Sequence, residues 1–269
     1  MDVENLEETF WQTKAIQVPF NYNGCVVTIT DDDGHEEFLT NMKPVLDSKG
    51  VKCSLSIITG LVGTPNYLTL NQLKLLQDEG FETLSHSKTH SPSIFRDNLP
   101  SVPDSVIEAE FRDSQQWFFD NGLAGYSTIV YPWGNYGSQA VRYKYIARKY
   151  YKYGVNALGG LNTSPVDNMY LSRFQPLKSM NFNTDIKPVI DENIANKSWL
   201  ILLNHSYNTD AFSPVLLATI IDYIQSKNIP ILTFGEGTRY KGNALSVGEY
   251  TDPINKVYIG NDGKFLISG

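Results

Sequence analysis

Two cysteines in 269 residues are too few for a disulfide framework. Cys25 and Cys53 each open an apolar run that reads as a strand, and the two strands read as neighbours. A bridge between them is one reading; two buried thiols is the preferred one. Apolar runs are also short, since no segment approaches the roughly 20 residues of a membrane span. Basic residues are outnumbered, 22 Lys and Arg against 29 Asp and Glu for a net charge of −7, and they form no cluster. Nucleic-acid binding rests on clustered cations, so a phosphate backbone is excluded as the expected partner. A neutral partner such as a sugar suits the balance better, and the 16 tyrosines are compatible with sugar stacking while carrying little weight alone. The first residues, MDVENLEETFWQ, are acidic where a secretory leader is basic and then apolar. The last, KVYIGNDGKFLISG, stop in a strand-like pattern, so the expectation is a piece of a larger protein.

What the chain does have is a regular alternation. β-rich apolar runs at residues 25–30, 53–58, 81–85, 126–131, 153–158, 169–174, 199–204 and 229–234 are interleaved with segments of helical period near 36–48, 69–80, 104–120, 138–150 and 214–226. Thr69 is placed to cap its helix and Gly80 to end it. Strand and helix alternating in this way make an α/β fold with a parallel sheet, and about seven such strands suggest a closed or nearly closed barrel. The expected organisation is an N-terminal extension over 1–19, the barrel over 20–235 and a C-terminal appendage over 236–269.

In such barrels, chemistry sits on the loops that leave the C-terminal ends of the strands. Asp31, Asp32, Asp33, Gly34 and His35 follow the first strand, HSKTH with His86 and His90 follows the third, YPWG with Trp133 closes the fourth, and His205 ends WLILLNH. Each feature alone has an ordinary explanation. An aspartate run is commonly a helix cap or a solvated turn, an i, i+4 histidine pair on a loop can be a surface accident, and a PWG is usually a turn. Together they invite a chemical reading, because the chain has four histidines and all four fall at the same ends of strands. Two histidines and a carboxylate bind zinc or a similar divalent ion and leave positions open. A second carboxylate beside the ligand can act as base, and a histidine across the pocket as acid.

These residues resemble the polysaccharide deacetylases of the NodB-homology type, carbohydrate esterase family 4. That family's T-F-D-D-G is met by Thr30, Asp32, Asp33 and Gly34, with Asp31 where an aromatic is usual; its H-S/T-x-x-H is met fully by HSKTH; its R-x-P-Y/W-G is met by Pro132, Trp133 and Gly134; and its L-x-H is met by LLNH. The resemblance implies a distorted (β/α) barrel of about seven parallel strands. It also implies Asp33, His86 and His90 as ligands of a divalent metal, zinc first with cobalt or nickel as alternatives. Asp32 would be the catalytic base, the backbone N–H of Trp133 an oxyanion donor and His205 the general acid. Val130 stands where the family has an arginine that orients the base, and Arg173, on the strand at 169–174, is expected to supply the guanidinium instead. The aspartate that pairs with the acid histidine has only Asp167 as a weak counterpart.

The implied activity is metal-dependent removal of acetyl groups from a polysaccharide, N-acetylglucosamine units of a cell-wall or surface glycan first, O-acetyl xylan second. The implied place of work is extracellular or on a cell surface. A catalytically impaired glycan-binding module of a larger surface or viral protein is the reading from a different class; the intact acids and histidines weigh against it.

Overall fold

The computed structural model describes residues 24–97, 101–134, 137–163, 166–245 and the strand segments at 250–251, 256–259 and 265–268. The expected extension over 1–19 lies outside the described residues.

Six strands form one sheet: β1 (Val26–Asp31), β2 (Ser54–Ile57), β3 (Glu82–Ser85), β4 (Thr128–Val130), β5 (Tyr153–Val155) and β6 (Trp199–Asn204). Their order is β5-β4-β3-β2-β1-β6 and every pairing is parallel, so all six C-terminal ends lie on one side. All residues of β1 and β6 are buried, which is why WLILLN reads as a nearly continuous apolar run, while VVTITD sets short threonines between its apolar positions. The two-residue period of a strand divides them. Val26, with Leu84, Val130, Val155, Trp199 and Ile201, belongs to one cluster, while Val27, Ile29, Leu55, Leu200 and Leu202 pack with the helices in another. Thr28 and Thr30 share the parity of Val26, and Asp32 is next in that series, so the inner face carries the base candidate to the mouth of the barrel.

The seventh strand expected at 169–174 is present only in part. Leu171 bridges Val155 of β5 and Phe174 bridges Leu202 of β6, so the segment links the two edge strands with single rungs. Between the rungs the Asn162 side chain takes over, accepting from the Ser172 N–H and donating to the Ser172 carbonyl. A backbone bonded to a side-chain amide cannot also run a ladder. The run at 229–234 likewise shrinks to one bridge, Ile231 to Val27.

The helices are α1 (Lys43–Ser48, entered through a π-turn at Phe38–Met42), α2 (Leu70–Asp78), α3 (Pro92–Phe95), α4 (Asp104–Asn121), α5 (Ala140–Ala147), α6 (Lys187–Ala195), α7 (Pro214–Ser226) and α8 (Phe234–Leu245). Thr69 and Gln72 form a reciprocal capping box on α2. Sequence periodicity had left α6 unassigned. Its marks are local: Asn181 capping the π-turn at Phe182–Ile186, a proline in the first turn, and Ile186 and Ile190 buried four residues apart.

α8 closes the far end of the barrel and runs across the expected boundary at 235/236. Glu82 of β3 is buried there, accepting from Ser54 Oγ at 2.7 Å and from the Gly235 N–H at the start of α8. A carboxylate against a helix N-terminus is favourable in both charge and hydrogen bonding. Gly237 lies so close to the Trp199 indole that an added Cβ would sit 2.6 Å from its Cζ2. A separate antiparallel sheet, β7 (Tyr250–Thr251), β8 (Lys256–Ile259) and β9 (Phe265–Ser268), ends the described chain. Cys25 and Cys53 are buried and are not joined in a disulfide.

Candidate metal centre and active site

Each strand end delivers one part of a cluster. Asp32, immediately beyond β1, accepts from Arg173 Nη1 at 2.7 Å and Nη2 at 2.8 Å, and from Ser56 Oγ on β2 at 2.7 Å. Arg173, 2% exposed, is itself fixed by the Asn156 carbonyl and Thr30 Oγ1. The guanidinium that the third motif lacks is therefore in contact with Asp32, carried by the interrupted strand between β5 and β6. Burial alone would raise the Asp32 carboxyl, but the charge of Arg173, then that of His86, holds it at about 2. The side chain is ionised at any neutral pH.

Asp33 has φ +75° and turns the chain so that its carboxylate faces HSKTH. Oδ1 lies 3.5 Å from His86 Nε2 and 3.8 Å from His90 Nε2, and ligand atoms of these three residues fall within 4.8 Å of one another. Oδ1 is buried and has no hydrogen-bond partner among the described residues, since 3.5 Å is an ion-pair distance here rather than a formed hydrogen bond. His86 gives its Nδ1 proton to the Val130 carbonyl at 2.7 Å, so the atom turned to Asp33 is the other ring nitrogen, the one a cation would use. Burial, and next the charge of His86, push His90 down to about 4, which keeps it neutral and available. An orphaned carboxylate oxygen facing two imidazole nitrogens fits zinc or a similar divalent cation.

His86, by contrast, is pushed up: burial opposes the proton, but Asp32 and the ion pair with Asp33 outweigh it. In the metal-free protein the two carboxylates therefore favour a proton on His86. Metal uptake must displace it. Zinc titrations followed calorimetrically near pH 7, in buffers of different ionisation enthalpy, will show proton release of up to about one per ion. Affinity will rise with pH until His86 is neutral in the free protein, then level off.

The supporting loops are strained. Of the seven described non-glycine residues with positive φ, four are Asp33, Ser87, His90 and Trp133. Each such conformation costs on the order of 1–3 kcal/mol, and residues of this kind concentrate at functional sites. His90 is held by its N–H on Ser87 Oγ and by Trp133 Nε1 on its carbonyl, while Thr89 gives both its N–H and its hydroxyl to buried Glu110 of α4. Trp133 lies at the rim, 42% exposed, with its ring 5.2 Å from His90 and the Arg96 guanidinium over its face. Gly134 is obligatory: its φ is +65° and a Cβ there would meet Ala157 Cβ at 2.4 Å. The Trp133 N–H makes no backbone hydrogen bond among the described residues.

His205 closes the far wall, with Nε2 3.9 Å from Asp33 Oδ2. Its Nδ1 meets Gln175 Nε2 at 3.3 Å, not an aspartate. Asp167 is engaged elsewhere, with Lys144 and the Met169 N–H, which removes it as the partner of this histidine. A second unforeseen set of contacts laces the end of β6 to the end of β1. Asn204 Nδ2 donates to the Thr30 carbonyl, Ser206 gives its N–H and hydroxyl to Asp31 at 2.7 Å each, and Tyr207 gives its hydroxyl to Asp33 Oδ2 at 2.8 Å. Asp31 is buried with the outer parity of β1, so it anchors the His205 loop rather than facing the cluster.

Residues 21–153 match the family model described as polysaccharide deacetylase. The protein YxkH of Bacillus subtilis (strain 168), which carries a provisional polysaccharide deacetylase name, is 29% identical over 119 residues. That match covers 44% of this chain and 40% of the relative, so the chain spans less than half the length of the curated protein it matches. Among solved structures, the Xyl-CE4 domain of a multidomain xylanase from the hindgut metagenome of Trinervitermes trinervoides superposes with a TM-score of 0.56 at 16% identity, covering 89% of this chain and 99% of that one. The Streptococcus pyogenes deacetylase PplD, in complex with acetate, gives 0.53 at 24%, covering 70% and 78%. These two likenesses are of fold. The family match ends before Arg173 and His205, whose part in the site rests on geometry.

Proposed function

The chain belongs to the polysaccharide deacetylase family, and from that premise we propose that it is a metal-dependent hydrolase removing acetyl groups from a polysaccharide, with N-acetylglucosamine units as the first substrate class. The observation that carries this is the adjacency of a buried, arginine-held carboxylate, Asp32, to the set of His86, His90 and Asp33, whose Oδ1 has no hydrogen-bond partner among the described residues. Zinc is the expected ion, with cobalt and nickel able to replace it. Bound there, a divalent cation polarises the acetyl carbonyl and lowers the pKa of water beside it toward about 7.

The chain's own groups supply the rest. Asp32 takes the proton of the water whose oxygen bonds to the carbonyl carbon; Arg173 and Ser56 keep that carboxylate aimed. The Trp133 N–H donates to the carbonyl oxygen as negative charge gathers on it. His205 serves as acid from its doubly protonated form, with the Gln175 side-chain amide beside Nδ1; it hands its Nε2 proton to the sugar nitrogen as the carbon–nitrogen bond breaks and is left as a neutral imidazole. Acetate and a free amine leave. An O-acetyl ester would pass through the same tetrahedral arrangement, with an alcohol as leaving group. Work at extracellular or cell-surface glycans is part of the same proposal.

The test is acetate release from chitooligosaccharides, peptidoglycan and acetylated xylan by protein stripped with chelator and reloaded with zinc, cobalt or nickel. Metal-dependent release from an N-acetylated glycan is the expected result. Release from xylan alone would move the substrate to O-acetyl esters, and release from none would remove the hydrolase reading.

A further inference from the structure

The two oxygens of Asp33 have different surroundings. Oδ1 is buried, has no hydrogen-bond partner among the described residues, and faces His86 and His90. Oδ2 accepts the Tyr207 hydroxyl at 2.8 Å. That hydroxyl is held in place by rings. Tyr207 stacks on His35 at 3.9 Å and 21°, and the His35 ring also packs against Tyr67 at 4.3 Å. His35 in turn is fixed by its backbone bridge to Tyr67, and it follows Asp33 by two residues. The brace is thus built partly from the turn that Asp33 begins. It also explains the fourth histidine, which lies at the same strand end as the ligands without joining their set.

We propose that Tyr207 is a positioning residue that fixes Asp33 as a one-oxygen ligand, holding Oδ2 aside so that Oδ1 alone meets the cation. This rests on the reading of Asp33, His86 and His90 as a cation site. A free carboxylate can swing to offer both oxygens, which fills an extra coordination position and leaves less room for water and substrate. A phenol, neutral and donating at ordinary pH, removes that choice without adding charge. Hydrogen-bond partners of ligand carboxylates typically affect metal affinity by about 10–100-fold.

Tyr207→Phe deletes only the hydroxyl and keeps the stacked ring. Zinc dissociation constants, measured by competition with a chromophoric chelator, will rise by about 10–100-fold in the variant. Cobalt-loaded Tyr207→Phe will show a weaker, shifted visible absorption as Asp33 engages through both oxygens. His35→Leu, which keeps the hydroxyl but removes the face it stacks on, will give an intermediate loss, and serves if the first variant does not fold. An unchanged zinc constant together with an unchanged cobalt spectrum overturns the proposal while leaving the site intact. Failure of the wild-type protein to bind zinc at all overturns the site and the proposal together.

Discussion

Asp32→Asn will lower turnover by about 10²–10⁴-fold while zinc binding stays within about threefold of wild type. The asymmetry follows from where the two neighbouring aspartates point. Asp33 Oδ1 faces His86 and His90; Asp32 is turned to Arg173 and Ser56. The amide retains an oxygen for the guanidinium but cannot take a proton. Its effect on folding has a definite pH signature. The folded carboxyl is at about 2 against an ordinary 3.8, a depressed value. Asp32 therefore contributes stability that is present above about 3.8 and is lost as pH falls through about 2, worth on the order of 2 kcal/mol. Chemical denaturation of the two proteins from pH 5 to 2 should show their stabilities converging toward the acid end. Full activity in Asp32→Asn would make the assignment of the base untenable.

Arg173→Met is expected to be the more damaging change to the fold. It leaves the Asp32 carboxylate buried without its counter-charge, and breaking a buried pair from one side typically costs about 3–5 kcal/mol. With burial no longer opposed by the guanidinium, the Asp32 carboxyl moves upward and the base spends more of its time protonated. Activity should fall at least tenfold near neutrality, with part of the loss regained at higher pH. Arg173→Lys keeps the charge but not the fork that engages both Asp32 oxygens, and should lie between the two. In a double-mutant cycle, Asp32→Asn with Arg173→Met will be less destabilised than the sum of the single variants, because the charges are removed together. Additivity would mean that the pair seen in the structure does not couple.

Legibility in the sequence followed the geometry of strands. The aspartates, the HSKTH pair and His205 sit at the ends of β-rich runs, so knowing the strands and their common direction was enough to gather them. Arg173 could be connected to Asp32 because a strand was expected to end beside it, even though that strand proved to be interrupted by Asn162. The contacts that tune the site were not marked in this way. Gln175, Tyr207, Ser206 and Glu110 are polar residues in unremarkable settings, and each reaches its partner across a large sequence separation, 174 residues for Tyr207 and Asp33. Periodicity says nothing about such pairs. α6 is harder to read because a π-turn precedes it and shifts the period at its start. Asp31 was legible as part of a charged run, but its outer parity, which turns it from Asp32 and toward Ser206, is visible only once β1 is placed between β2 and β6.

The most direct measurement is the stoichiometry of zinc on the purified chain, by equilibrium dialysis with elemental analysis, for the wild type, for Asp32→Asn and for His86→Ala combined with His90→Ala. One ion per chain in the first two, and none in the third with its melting transition preserved, is the predicted result. Zinc retained at one per chain after both histidines are gone, or absent from the wild type, would contradict the account.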